Sequence, residues 1–159
     1  MRRTSGSTSS SSGATAPRAE AASLVKEAIV AVIARRRRVL VIRRAEGLPF
    51  AGYWGPLSGR LEPGEAQADA LVREVREEVG LAVRAGRKVW ECPTSDGLYR
   101  LHWWTAELED ESREVVPDPR EVSAFRWIEP VEFARLERVF EADAEFFRAI
   151  YPTLALAGD

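Results

Sequence analysis

Glu74, Glu77 and Glu78 stand three and four positions apart in the run Arg73-Glu74-Val75-Arg76-Glu77-Glu78. Residues at that spacing are neighbours on a helix, so the run predicts three carboxylates crowded on one side. Like charges so placed repel unless a cation neutralises them, and hard divalent ions such as Mg²⁺ favour oxygen ligands of this kind. The chemistry that such a set suggests is the binding of a hard divalent cation.

A bare E-x-x-E-E is more often a solvated helix face than a metal site, because motifs that short arise by chance. The surrounding residues alter that balance. Ala68, Leu71, Val72, Val75 and Val79 make an apolar stripe suited to docking on a sheet, which predicts that the carboxylates face away from the core. A glycine-bearing loop, Leu57-Ser58-Gly59-Arg60-Leu61-Glu62-Pro63-Gly64, leads into the helix, and Gly80 stands where a left-handed C-terminal cap would close it.

Taken together, Gly59 to Leu81 resembles the signature of the Nudix hydrolases, G-x5-E-x7-R-E-U-x-E-E-x-G-U with U aliphatic. Gly59 matches the first glycine, Glu65 the isolated glutamate, Arg73, Glu74 and Val75 the R-E-U, Glu77 and Glu78 the paired glutamates, and Gly80 with Leu81 the ending. The resemblance implies an Mg²⁺-dependent pyrophosphohydrolase, with Mn²⁺ as a substitute. Such an enzyme cleaves the pyrophosphate of a nucleoside diphosphate linked to another group: a nucleoside triphosphate, a nucleotide sugar or a dinucleoside polyphosphate. The alternative on the same fold is a noncatalytic nucleotide-sensing or interaction domain, since fold does not fix function.

Carried over by position, the resemblance implies that Glu74, Glu77 and Glu78 bind the metal, with Glu74 or Glu77 also serving in catalysis. A backbone carbonyl at Ser58 or Gly59 would complete the ligand set. Arg73 would pair with Glu65 and brace the loop against the helix, a supporting role for both. Family members also recruit a glutamate beyond the signature; Glu114, Asp118 and Glu121 precede the next strand here, and Glu121 is the choice. One departure is that Pro56-Leu57-Ser58-Gly59 stands where many relatives have P-G-G, so the backbone at Ser58 must tolerate a Cβ.

The elements that must position these groups follow from hydrophobic pattern. Ile29–Ile33 and Val39–Ile42 read as buried β-branched strands, and Arg35 to Arg38 between them as a solvated hairpin turn rather than a nucleic-acid-binding run. Arg43 and Arg44 end the second strand, where a guanidinium can reach phosphate oxygens; an R-R-A step there is similar to the MutT-type branch. Val83–Trp90 and Leu98–Leu108 predict further strands. Alternation on the second sends His102, Trp104 and Ala106 to one face and Leu101, Trp103 and Thr105 to the other. Trp103 and Trp104 are candidates for stacking a base, with burial in the core as the competing use of each. His102 reads as a strand residue. Phe125–Ile128 predicts a last strand, followed by an amphipathic helix or pair of helices from Val131 to Ile150.

That order predicts an α/β fold, an α/β/α sandwich of the Nudix type with a mixed sheet between helices. Residues 1–21 read as a flexible low-complexity tail and 22–159 as one domain. The formal net charge is −2, and the only charges among the first 17 residues are Arg2 and Arg3, so the remainder is more acidic still. This balance disfavours nucleic acid and leaves a small nucleotide as the expected partner. Cys92 is the single cysteine and excludes an intramolecular disulfide. No apolar run approaches the ~20 residues of a membrane span, so no membrane partner and a cytoplasmic location are expected. The apolar residues near Phe140, Phe146, Phe147 and Ile150 serve either the core or a homodimer interface.

Overall fold

The computed structural model describes residues 25–156; the whole of the expected tail, residues 1–21, and the last three residues lie outside that range. Strand β1 (Lys26–Arg35) turns at Arg36 and Arg37 into β2 (Arg38–Arg44), with Arg35 paired to Arg38. Both turn residues adopt left-handed backbone, φ 50° and 65°, as a two-residue hairpin of matching twist requires. The arginine run is thus a turn, as expected.

Two short strands follow, β3 (Trp54–Gly55) and β4 (Leu57–Arg60). β4 corrects the expectation of an irregular loop from Leu57 onward, because its backbone pairs antiparallel with β1 from Ala28↔Arg60 to Ala31↔Leu57. Leu-Ser-Gly-Arg carries too little β-branched character to signal a strand, and the pairing is imposed by its neighbour. Helix α1 (Gln67–Val79) comes next, then β5 (Val83–Pro93), β6 (Tyr99–Leu108) and β7 (Val122–Ile128).

β1 occupies the centre of the mixed sheet, parallel to β6 over Lys26 to Ile33 and antiparallel to β4 on its other edge. β5 extends the sheet beyond β6, while β7 and β3 flank β2. Alternation then divides the core. Ile29, Ala31, Ile33, Leu40 and Ile42 face α1, where Ala70, Leu71, Val75 and Val79 cover them. Val30, Val32, Val39 and Val41 face the opposite side and meet Trp103, Phe133, Phe146 and Phe147. Each such aliphatic side chain contributes about 1.5–3 kcal/mol on burial, which commits β1 and β2 to this register.

The single helix or helix pair expected over Val131 to Ile150 is instead broken into pieces. Pro130–Arg135 forms a 3-10 segment, Glu141–Glu145 a short α2, Phe146–Ile150 a π-helical turn and Tyr151–Thr153 a final 3-10 turn. The first break falls at Leu136, which is extended, and Arg138, which has φ 55° and cannot continue a right-handed helix. The Arg138 carbonyl accepts from the Trp54 amide at 2.9 Å, so the break serves to dock this segment on β3. Phe146 stacks on Trp103 with ring centres 4.2 Å apart, and Phe147 on Phe133 at 4.4 Å. These aromatics form core; nothing in the fold assigns them to an interface between copies.

Candidate functional site

Helix α1 ends as its sequence predicts: Gly80 adopts φ 67° and its amide returns to the Arg76 carbonyl at 3.1 Å. Its entry is held by Glu65 and Arg73. The Arg73 Nε and Nη2 each donate to a different Glu65 oxygen at 2.8 Å, and Glu65 also accepts from the Glu62 amide at 3.0 Å. Arg73 Nη2 donates in addition to the Arg60 carbonyl at 3.1 Å. The guanidinium therefore ties the turn at Glu62–Glu65, the end of β4 and the helix into one piece. Hydrogen bonding from Arg73, then from the Glu62 amide, holds the Glu65 carboxyl down at about 2.

The three signature glutamates diverge. Glu77 is exposed, whereas the Glu74 side chain is 13% exposed and Glu78 is buried at 9%. The expectation that all three face away from the core is corrected for Glu74 and Glu78, which point under the helix toward β4 and the loop before β7. Helical spacing located them on one side of α1, but that side is covered by the rest of the fold. Among the described residues, no three carboxylate, imidazole or thiolate groups converge on a ready-made cation cage.

The arrangement around Gly59 is close. A Cβ there would overlap the Glu74 carboxyl group, so only glycine leaves this carboxylate its place. Glu74 and Glu78 are hydrogen-bonded to each other. Burial, then the Glu74 charge beside it, pushes the Glu78 carboxyl up to about 9, with Glu121 adding to the rise and Arg44 opposing it. Burial raises Glu74 as well, against the pull of Arg73. Arg73 Nη1 lies between Glu74 Oε1 at 2.8 Å and Glu77 Oε2 at 3.3 Å, so one guanidinium nitrogen bridges two of the three. Two neighbouring carboxyls, a third held at the rim and a backbone position without a side chain supply hard-oxygen donors of the kind a divalent cation takes.

Glu121 is brought to this cluster by backbone contacts. The Val116 amide donates to the Val79 carbonyl and the Asp118 amide to the Glu78 carbonyl, both at 2.9 Å, latching the loop before β7 onto the end of α1. Glu121 follows and lies close enough for its charge to act on Glu78. Of the alternatives, Asp118 turns its carboxylate to Arg120 at 3.0 Å, and Glu114 is exposed earlier in the loop.

The two arginines ending β2 separate across the sheet. Arg44 is on the side of Glu78, whose ionisation it favours, and its Nε donates to the Pro49 carbonyl at 2.8 Å. Arg43 donates to Ser123 Oγ at 2.9 Å, lies 5.7 Å from the centre of the Trp54 ring and lines a cavity of about 300 Å³ with Glu46, Gly52, Trp54, Glu137 and Arg138. Phe50 and Tyr53, on the Gly52-bearing loop, pack with Phe140, which precedes α2, in a cluster of rings with centres 4.9–5.4 Å apart.

Trp103 is corrected as a substrate contact: it is fully buried on Phe146, with no face for a ligand. Trp104 is half-buried on the α1 side and donates through Nε1 to Gln67 at 2.9 Å, which places it at the start of α1. His102 is buried beside Lys88, whose Nζ is 2.8 Å from Nδ1, and pairs through Ile29 toward Gly59 two strands away. Asp143 escaped the sequence reading. It lies buried against Gly55, where a Cβ would overlap its carboxyl, and burial pushes it up to about 8. Its signal was present as an acid at the inward spacing of an apolar stripe, three and four residues before Phe146 and Phe147.

Comparison with known proteins places the same residues in a wider set. A model of the NUDIX domain matches residues 24–150. A CTP pyrophosphohydrolase of Escherichia coli is 36% identical over 80 residues, 49% of this chain and 59% of that protein. An RNA pyrophosphohydrolase of Erythrobacter litoralis is 27% identical over 140 residues, 70% of this chain and 84% of its own length. An NAD-capped RNA hydrolase of Pseudomonas putida is 32% identical over 107 residues, and the match spans 36% of that longer protein. Among solved structures, the E. coli ORF135 protein superposes with a TM-score of 0.63 at 27% identity, covering 84% of this chain and 98% of that one. The MutT protein of Methanosarcina mazei superposes with a TM-score of 0.68 at 20% identity, covering 79% and 92%.

Proposed function

The chain belongs to the Nudix family, and from that premise we propose that it is a divalent-cation-dependent pyrophosphohydrolase cleaving a nucleoside diphosphate linked to another group. The observation that carries this reading is the seating of the Glu74 carboxylate on the bare backbone of Gly59, with Glu78 bonded to it and Glu121 beside it. Mg²⁺ is the proposed cofactor, with Mn²⁺ as a substitute; Glu74, Glu77, Glu78 and the Gly59 carbonyl would hold it, and it would supply charge to offset the phosphate oxygens and make a nearby water easier to deprotonate.

The chain's own groups divide the remaining work. Glu121, exposed at the rim and outside the shared Glu74–Glu78 pair, accepts the proton of the attacking water. Arg44 faces the same cluster and binds a phosphate oxygen of the substrate, so that the diphosphate is oriented by charge as well as by the cation. Arg73 and Glu65 act through the loop they hold, and touch no reacting atom.

The E. coli relative's action on CTP favours a nucleoside triphosphate as substrate. The test is product analysis after incubating the purified chain with Mg²⁺ or Mn²⁺ and a panel of nucleoside triphosphates, nucleotide sugars and dinucleoside polyphosphates. Nucleoside monophosphate release, lost in Glu77→Gln with folding intact, supports the reading. A panel that yields no product, with ligand binding retained in Glu77→Gln, sinks it in favour of a noncatalytic sensor.

A further inference from the structure

The arginine hairpin at the β1–β2 turn has a feature that a solvated turn does not need. Arg35, Arg36 and Arg38 line a cavity of about 300 Å³ together with one aromatic residue, Trp127 of β7. The Arg35 guanidinium lies over the Trp127 ring, 4.2 Å from its centre, and is fixed there by two hydrogen bonds from Nη1, to the Glu111 carbonyl at 3.2 Å and the Arg113 carbonyl at 3.0 Å. The ring contact and the two hydrogen bonds together hold the planar guanidinium over the indole. Such a plane is a platform for a base, because guanidinium and nucleobase stack through their faces.

Arg36 and Arg38 are exposed, and among the described residues neither they nor Arg35 forms an ion pair with a carboxylate. The turn also retains arginine at Arg36, where φ is 50° and glycine or asparagine would fit more easily. This cavity is separate from the one at Arg43 and Trp54, and shares no residue with it. The overall negative charge of the chain disfavours nucleic acid spread along its surface, but it does not bear on a site where cations are gathered at one hairpin.

We propose that this hairpin is a binding site for single-stranded nucleic acid, a base stacking on the Arg35–Trp127 pair while Arg36 and Arg38 contact adjacent phosphates. Charge complementarity selects a polyanion, and the stacked guanidinium selects one that carries bases. The site is distinct from the carboxylate cluster, so binding there is independent of hydrolysis.

The test uses the full chain and a 3′-labelled oligouridylate of about a dozen nucleotides with a 5′-hydroxyl, which has no pyrophosphate to cleave. Fluorescence anisotropy at several salt concentrations compares the unaltered protein with Arg36→Asn/Arg38→Gln, in which asparagine tolerates the left-handed turn. The expected result is saturable binding that weakens at least about tenfold in the variant, with the slope of log affinity on log salt reduced by about 1.4 for two lost phosphate contacts. Trp127→Phe should weaken binding while nucleotide hydrolysis is unchanged, and Glu77→Gln should bind as the parent does. Equal affinity in the double variant overturns the proposal. Equally effective competition by polyglutamate or by inorganic polyphosphate also overturns it, since either shows that charge alone, without stacked bases, is recognised.

Discussion

Arg73 holds both oxygens of Glu65 at 2.8 Å, a fork-to-fork pair that joins the turn before α1 to the middle of that helix. Because the same guanidinium reaches Glu74 and Glu77, the loop cannot shift without disturbing the carboxylates. A lysine could supply the charge but not the two parallel bonds.

Removing that pair should show in the acid limb of stability. The Glu65 carboxyl is held at about 2 against an ordinary value of 4.5, so its contribution is fully present above about 4.5 and is lost as pH falls toward 2. Thermal melts by circular dichroism between those values should fall more steeply for the parent than for Glu65→Gln. The variant should also lose about 10–100-fold in turnover, as displaced supports of a metal site commonly do. An unchanged acid limb would refute the assignment.

Glu78 and Asp143 have the opposite sign. Their folded values are raised to about 9 and about 8, so both keep protons that the unfolded chain releases, and stability falls as pH rises from about 4 toward 9. Glu78→Gln and Asp143→Asn should each flatten this alkaline decline. Mg²⁺ should raise the melting temperature of the parent more at pH 9 than at pH 6, because the cation competes with the Glu74–Glu78 proton; an equal shift at both would count against that pair as ligands.

How much of this could be read in advance depended on whether local pattern or tertiary contact decided the outcome. Helix α1, the strands β1, β2, β5 and β6, and the Gly80 cap rest on spacing and turn chemistry within a few residues, and the structure has them where the sequence puts them. β4 exists because β1 pairs with it, and the C-terminal helix breaks because Arg138 must meet Trp54; neither partner is near in sequence. Trp103 and Trp104 are adjacent, so periodicity separates their faces but does not say which face is sealed. Phe146, more than forty residues on, seals the first. Glu78 looked solvent-facing for the same reason, its cover coming from the loop before β7.

Gly59→Ala is the sharpest small change. The added methyl would overlap the Glu74 carboxyl group, and overpacking of this kind costs about 1–3 kcal/mol. Chemical denaturation should report that loss, and activity should fall further than stability does, because the carboxylate is expelled from its seat. Ser58→Ala, on the neighbouring residue of β4, should be nearly silent in both measurements.

Glu121 and Asp118 can be separated by paired substitution. Glu121→Gln should lower kcat by about 10²–10⁴-fold with little change in KM, the range for loss of a general base. Asp118→Asn should leave kcat within a few-fold, since its carboxylate is engaged with Arg120. A reversal of the two results, read from steady-state kinetics, would move the base to Asp118.

The latch between the Val116 and Asp118 amides and the last carbonyls of α1 uses main-chain atoms on both sides. Any side chains could make those two bonds, proline excepted at the two donor positions. The exposed residues between Glu109 and Arg120 can therefore be exchanged for others of different charge while the anchor to α1 stays in place. The loop is thus joined to α1 by these main-chain bonds and by one buried side chain, Val115, which leaves its exposed side chains free to vary.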